Sequence, residues 1–235
     1  MRKTVAGASL VFLVLAGAAG PVLAAGDPRD PFEGFNRAVF AFNEGLDKAI
    51  VKPLARGYDA VLPGPVRTGV SNFYGNIADL FISVNGLLQA KPADAVGDAA
   101  RFVFNSTFGI AGIFDVATEM GIEKHDEDFG QTFGRWGAGP GPYLVLPLYG
   151  PRNVRDAAGL AVDAFADPVG NLDHVATRNA LTALRLVNQR ANLLPADRII
   201  EDAALDKYSY VRDAYLQYRQ SAVYDGRPPR EPDDE

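Results

Sequence analysis

Proline and glycine cut this chain into short pieces, and that punctuation limits it more than any other feature. Pro53, the Pro63-Gly64-Pro65 triplet, Pro92 and the Gly109-Ile110-Ala111-Gly112 turn fall between stretches whose apolar residues recur at steps of three and four. Proline removes a backbone donor and glycine lowers helix propensity, so each marks an element boundary. The first stretch predicts a helix with Asp30 as N-cap, Pro31 at its first position and Glu33 three residues after the cap. Phe32, Phe35, Val39, Phe42, Leu46 and Ala49 line one face, and Phe40 widens it. A short helix follows from Lys52-Pro53 through Tyr58 to Leu62. A third segment begins at Val66 and continues as Ile77 to Leu88, where Ile77, Leu80, Phe81, Ile82, Val84, Leu87 and Leu88 nearly encircle the axis. Such a helix is either deeply buried or faces lipid.

The pattern predicts further helices over Asp94 to about Phe108, Asn153 to Phe165, about Val175 to Leu194 and about Asp197 to Tyr224. A short piece, Phe114 to Ala117, ends before Gly121, a good C′ residue. The fold class is therefore mainly α, with a Gly/Pro-rich irregular region in the middle. From His125 to Gly150 there are six glycines and three prolines. Tyr143-Leu144-Val145-Leu146 reads as a short extended piece, and Pro147 keeps it out of a central strand. An irregular region of this length in a compact chain is usually functional.

The N-terminus has the layout of a secretory signal peptide. Arg2 and Lys3 precede an uncharged stretch from Thr4 to Ala24 with its apolar core at Leu10 to Leu15, and Gly20-Pro21 breaks any helix before Val22-Leu23-Ala24. Cleavage after Ala24 is expected, and an uncleaved anchor helix is the competing reading. Residues 25–224 would then form one helical domain, followed by a disordered Pro-rich, charged tail over 225–235. Without Arg2 and Lys3 the chain carries 21 basic and 29 acidic side chains, which argues against nucleic-acid binding. There is no cysteine, so disulfides, thiolate catalysis, cysteine metal sites and a lipidated N-terminal cysteine are all excluded.

Nothing in the sequence points to catalysis. His125 and His174 stand far apart and outside any metal-ligand spacing, and none of the six serines lies in a GxSxG elbow. Gly137-Ala138-Gly139-Pro140-Gly141 lacks the GK[ST] ending of a phosphate loop and reads as a turn. The acidic cluster Glu123, Asp126, Glu127 and Asp128 lacks EF-hand spacing and reads as a solvated loop. No catalytic, cofactor-binding or metal-binding residue is expected, and no cofactor. What stands out instead is polar residues inside apolar helices. Asn85 interrupts Phe81 to Leu88, Arg101 and Asn105 flank Phe102-Val103-Phe104, and Asp115 follows Ile113-Phe114. They are either paired polar groups of a soluble core or, beside lipid, groups facing a protein interior or a watery passage.

One family carries many of these features in order. Asp30-Pro31-Phe32-Glu33-Gly34-Phe35-Asn36-Arg37, with Phe42-Asn43 and Leu46-Asp47, resembles the opening motif of the MlaA (VacJ) family of outer-membrane lipid-transport proteins. The likeness continues through Ser71-Asn72-Phe73, Val84-Asn85, Arg101-Phe102, Asn105 and Phe114-Asp115-Val116-Ala117. Asp128-Phe129-Gly130-Gln131-Thr132, Trp136-Gly137, Gly141-Pro142-Tyr143 and Arg155-Asp156 follow, and Tyr210 to Tyr215 resembles the family's C-terminal helix.

The resemblance implies a helical ring lying in the plane of the outer membrane at its periplasmic face, pierced by a polar channel. It implies a transport component that removes mislocalised phospholipid from the outer leaflet. The lipid would pass to an MlaC-like periplasmic carrier, with a trimeric porin as membrane partner. Asn36, Arg37, Asn43, Asn85, Arg101, Asn105 and Asp115 would then line the headgroup route or knit the ring together. Arg37 and Arg101 are the candidates for holding a phosphate, with an Arg–Asp structural pair as the alternative. Gly130, Gly134, Gly137, Gly139 and Gly141 would form a movable gate or a fixed turn. Family members commonly carry a lipidated cysteine that this chain lacks, so its own apolar rim is expected to hold it in the membrane. A periplasmic scaffold that touches no lipid is the rival. The final helix supports it, with five tyrosines between Tyr208 and Tyr224. In either case Tyr215 and Tyr218 are the candidates for docking a carrier.

Overall fold

The structure, a computed structural model, describes residues 27–203 and 206–229, with backbone alone over 198–203. The expected leader lies outside these residues, as do residues 230–235 of the expected tail. Helix α1 (Glu33–Leu46) runs through a π-helical turn (Asp47–Val51) into α2 (Lys52–Val61) without a break. Pro63-Gly64-Pro65 then starts α3 (Gly64–Leu88), and a tight turn reverses the chain into α4 (Pro92–Thr107). The short α5 (Val116–Glu119) and α6 (Phe129–Arg135) lead to a two-stranded antiparallel hairpin, β1 (Tyr143–Leu146) and β2 (Gly150–Asn153). Helices α7 (Val154–Ala166), α8 (Val175–Ala203) and α9 (Lys207–Val223) complete it.

The departures from expectation are local and physical. Asp30 does not cap α1; its N-cap is Phe32, with no side-chain bond, because the Asp30 carboxylate is buried against α9. The central region is more ordered than its glycines imply, since Asp128 accepts the Gln131 amide and starts α6. Pro195 sits inside α8, so residues 197–203 extend that helix and the last helix begins only at Lys207, capped by Asp206. Helices α3 and α4 pack antiparallel and close. A Cβ at Gly86 would lie 3.2 Å from that of Ala95, and Ser83 Oγ donates to Ala95 O at 2.8 Å.

Burial is distributed in an unusual way. Among the described residues, the large side chains most fully hidden include Arg101, Gln131, Asn36, Asn85, Asn153, Asp79 and Asp98. Large apolar side chains are turned outward: Phe165 is 86% exposed, Val61 77%, Phe108 70% and Val96 66%. An aromatic core cluster gathers Tyr143, Val145 and Tyr208 with Val39, Phe40, Tyr215 and Leu216. Among the described residues no helix is long and apolar enough to cross a membrane.

Candidate functional site: a polar interior

On α3, Asn76, Asp79, Ser83 and Gly86 follow one another at steps of three and four, and all are buried. On α4, Asp98, Arg101 and Asn105 do the same. The faces that meet between these helices are thus polar, the reverse of a water-soluble helix pair. Arg101 is wholly buried at their centre. Its Nη1 donates to Ile122 O at 2.6 Å, and its Nη2 to Asp115 at 2.8 and 2.9 Å and to Thr118 Oγ1 at 3.1 Å. Its Nε lies 3.5 Å from Asp79 Oδ2, and the other Asp79 oxygen takes Lys124 Nζ at 2.6 Å. Asn105 donates to Asp115 at 3.0 Å and accepts the Ala117 amide at 2.9 Å. Burial pushes the Asp115 carboxyl up, but bonds from Thr118 and Asn105 and the Arg101 charge outweigh it and hold it at about 2. Asp98, driven upward by burial, faces His125 Nδ1 at 3.0 Å.

This cluster anchors the 109–115 loop. Ile110, Ala111 and Gly112 have φ of 51, 55 and 85°, a left-handed run that a β-branched residue rarely enters. The loop is held by Ala111 N–H to Ser106 O at 3.1 Å, Gly112 N–H to Asn105 O at 2.8 Å and Phe114 N–H to Gly109 O at 2.9 Å. Gly109 is obligatory there, because a Cβ would overlap the Phe114 carbonyl. At the other end of α3, Asn85 accepts from Thr132 Oγ1 at 2.6 Å, and Gln89 donates to the same hydroxyl at 3.1 Å, tying α3 to α6.

Asn36 and Asn43 serve the hairpin. Buried Asn36 donates to Tyr143 O at 3.0 Å and accepts the Val145 amide at 2.9 Å, as a neighbouring strand would. Asn43, two helical turns on, donates to Leu146 O at 3.0 Å and accepts the Leu148 amide at 2.9 Å. Asn36 also donates to Asp30 at 2.7 Å, whose other oxygen receives the Tyr208 hydroxyl at 2.5 Å and Arg212 at 3.4 Å.

Helix α9 turns Tyr208, Arg212, Arg219 and Val223 inward. Arg219 grips two carboxylates, Asp128 at 2.6 and 2.8 Å and Asp156 at 2.7 and 3.1 Å, so one guanidinium ties the start of α6 to the start of α7. Burial opposes its charge, yet Asp128 and Asp156 raise its pKa well above the ordinary arginine value. Tyr215 faces inward too, donating to Asp156 at 2.6 Å and packing on the Tyr143 ring at 6.0 Å, and so is not an open docking residue. Tyr218 is 54% exposed and reaches Asp126 at 3.0 Å.

The expected site residues thus divide between two assemblies rather than lining one continuous groove. Arg101, Asn105 and Asp115 meet directly, with Asn85 further along α3. Asn36 and Asn43 meet the hairpin, and Arg37 bridges Glu33 at 2.7 Å and Asp206 at 2.6 Å over the Tyr208 ring. Both arginines proposed for phosphate are engaged by carboxylates. Of the five candidate gate glycines, Gly130 and Gly134 lie in α6, where a Cβ at Gly130 would press on Asp156 at 2.6 Å. Only the turn through Gly137 (φ 94°), Gly139 and Gly141 (φ 66°) is non-helical, and a Cβ at Gly137 or Gly139 would meet nothing within 4 Å. Asp79, Asp98 and Arg219 are site residues that sequence reasoning does not single out, and Asp156 enters it only within the Arg155-Asp156 motif. The available signal is the spacing: Arg212 and Arg219, like Tyr208 and Tyr215, stand seven apart and so share a face.

Comparison with known proteins places this arrangement. A family model described as MlaA lipoprotein matches residues 28–222. The intermembrane phospholipid transport system lipoprotein MlaA of Escherichia coli (strain K12) is 36% identical over 192 residues, spanning 80% of this chain and 76% of that protein. Its namesake in Haemophilus influenzae is 29% identical over 232 residues, spanning 96% and 92%. A solved structure, described as the structural basis for maintenance of bacterial outer membrane lipid asymmetry, superposes with a TM-score of 0.73 at 32% identity. The match covers 83% of this chain and 98% of that one.

Proposed function

The chain belongs to the MlaA family, and on that premise we propose that it is a phospholipid-transport component of the outer membrane rather than an enzyme. It lies at the periplasmic face, takes mislocalised phospholipid from the outer leaflet and hands it to a periplasmic lipid carrier. One observation carries this reading: many charged and amide side chains are inside while many large apolar ones face outward. Beside hydrocarbon, outward apolar side chains are solvated by lipid and buried polar groups look for partners within the protein. Arg101 and Asp115 are paired in that manner, with Asp79 completing the ion cluster at 3.5 Å, and Phe165, Phe108 and Val96 are left to face acyl chains.

In this reading Asn36, Arg37, Asn43, Asn85, Arg101, Asn105 and Asp115 hold the helices and the hairpin in a ring around the lipid route. The Gly137–Gly141 turn is the part with backbone freedom to move. The carrier, an MlaC-like protein, docks on the outer face of α9 at Tyr218, and a trimeric porin contacts the apolar rim.

The test is outer-leaflet phospholipid in intact cells, read with a lipase that cannot cross the membrane. Deletion is expected to raise the accessible phospholipid and the intact gene to restore it. An unchanged level would remove the transport reading. The periplasmic scaffold would take its place, favoured by the half-exposed Tyr210, Tyr218 and Tyr224 on α9.

A further inference from the structure

Between the first half of α3, the 109–115 loop and α8 lies an open cleft of about 490 Å³, within the size range of small-ligand sites. Val70, Phe73, Ile113, Phe114, Leu181 and Leu184 line it. The one side-chain hydroxyl on its wall, that of Tyr74, is turned onto Leu181 O at 2.7 Å. The cleft therefore offers an occupant almost no hydrogen-bonding partner. A peptide segment would bury unsatisfied amides there, while a hydrocarbon chain has none to satisfy.

The cleft is built, not incidental. Its loop wall is fixed from behind by the Arg101–Asp115–Asn105 cluster and from the side by Asn72 Nδ2, which donates to Ile113 O at 3.0 Å. Gly69 lets α3 close on that wall: a Cβ there would come within 3.0 Å of Ile113 Cγ2. The buried polar interior thus sets the width of an apolar slot in front of it. At the edge stands Arg185, its guanidinium 5.2 Å from the Tyr74 ring. Its Nη2 holds Asp167 at 3.0 Å, and its Nε has no hydrogen-bond partner among the described residues. This Arg–Asp pair puts polar groups at the rim of a hydrocarbon-lined slot, the order in which a phospholipid's headgroup sits next to its tails.

We propose that this cleft holds one acyl chain of a phospholipid, with the headgroup on the Arg185–Asp167 side. The proposal rests on the transport reading and names where on the chain a lipid tail is carried.

The full-length protein is reconstituted in vesicles of phosphatidylethanolamine and phosphatidylglycerol containing a phosphatidylethanolamine with a diazirine in its acyl chain, and crosslinks are mapped by mass spectrometry. Crosslinks are expected to concentrate at Val70, Ile113 and Leu184 above those at the outward Val96. Val70→Trp is expected to lower cleft labelling about tenfold, the displacement of roughly two buried methylenes, with Val96 labelling unchanged. A single-chain lysophospholipid should compete in the unaltered protein and a headgroup without a chain should not, a readout independent of whether the variant folds. Labelling of the cleft no greater than at Val96, or indifference to both the variant and the competitor, would overturn the proposal. That failure leaves the cell assay untouched: lost retrieval on deletion with an unlabelled cleft removes the cleft alone, while unchanged outer-leaflet lipid removes the transport reading.

Discussion

The residues that matter most here are charged and hidden, and their worth lies in what they would leave behind. Arg101 contacts a carbonyl, two carboxylates and a hydroxyl through three nitrogens of one planar group. Lysine offers a single ammonium and cannot span them, so Arg101→Lys is expected to cost about 3 kcal/mol in denaturant unfolding despite keeping the charge. Asp163 on α7 shows the opposite sign. Burial, and then the neighbouring Asp128 charge, push its pKa from 3.8 up to about 6. An acid whose pKa is raised in the fold binds its proton more tightly folded than unfolded. Its stabilising contribution is therefore present at low pH and is lost as pH rises through about 6. Asp163→Asn is expected to gain about 1–2 kcal/mol at about pH 7, discounting for partial exposure, with the gain shrinking as pH falls towards 4. Thermal melts of both proteins across that range would check it. Part of this layer is legible in the sequence. Asn85, Arg101, Asn105 and Asp115 stand out because each interrupts an apolar run. Asp79 and Arg219 do not, because their partners stand far off in the chain and α9 reads as polar all round.

At the scale of elements, the helices are legible and the way they touch is not. Steps of three and four in the apolar pattern locate α1 to α4, and the prolines locate their starts, since Pro65 and Pro92 fall in first turns where a missing N–H costs nothing. What that pattern cannot say is which face turns inward. Periodicity marks two faces, and only the solvent decides which of them is buried. The π-helical turn at Asp47–Val51 is hidden for another reason: it adds one residue per turn without any proline or glycine to announce it. The crossing of α6 and α7 is especially close. A Cβ at Gly159 would overlap the Gly130 backbone nitrogen and come within 2.7 Å of its Cα. Gly159→Ala would raise intrinsic helix propensity yet force the two helices apart, with an expected net loss of about 2 kcal/mol. A gain in stability on denaturant unfolding would show that the helices can separate freely.

Over the whole molecule, opposite ends of the described chain are joined by a set of polar contacts, buried around Asp30 and half-exposed at Arg37. Arg212 reaches Asp27 at 3.2 Å, Tyr208 reaches Asp30 at 2.5 Å, Arg37 reaches Asp206 at 2.6 Å and Lys207 reaches Glu44 at 2.7 Å. The hairpin is enclosed by the same contacts, with Tyr143 N–H donating to Arg29 O at 2.8 Å and the Tyr143 ring lying between Tyr208 and Tyr215. The partners that α9 and its cap supply come from the far end of the chain. A chain emerging N-terminus first, from a ribosome or a translocase, therefore holds Asp27, Asp30 and Glu44 without them until its last helix arrives. During that interval the outward apolar side chains are already exposed, on a body whose two ends are not yet joined. The moment at which such a fold closes is set by the end of its delivery rather than by its beginning.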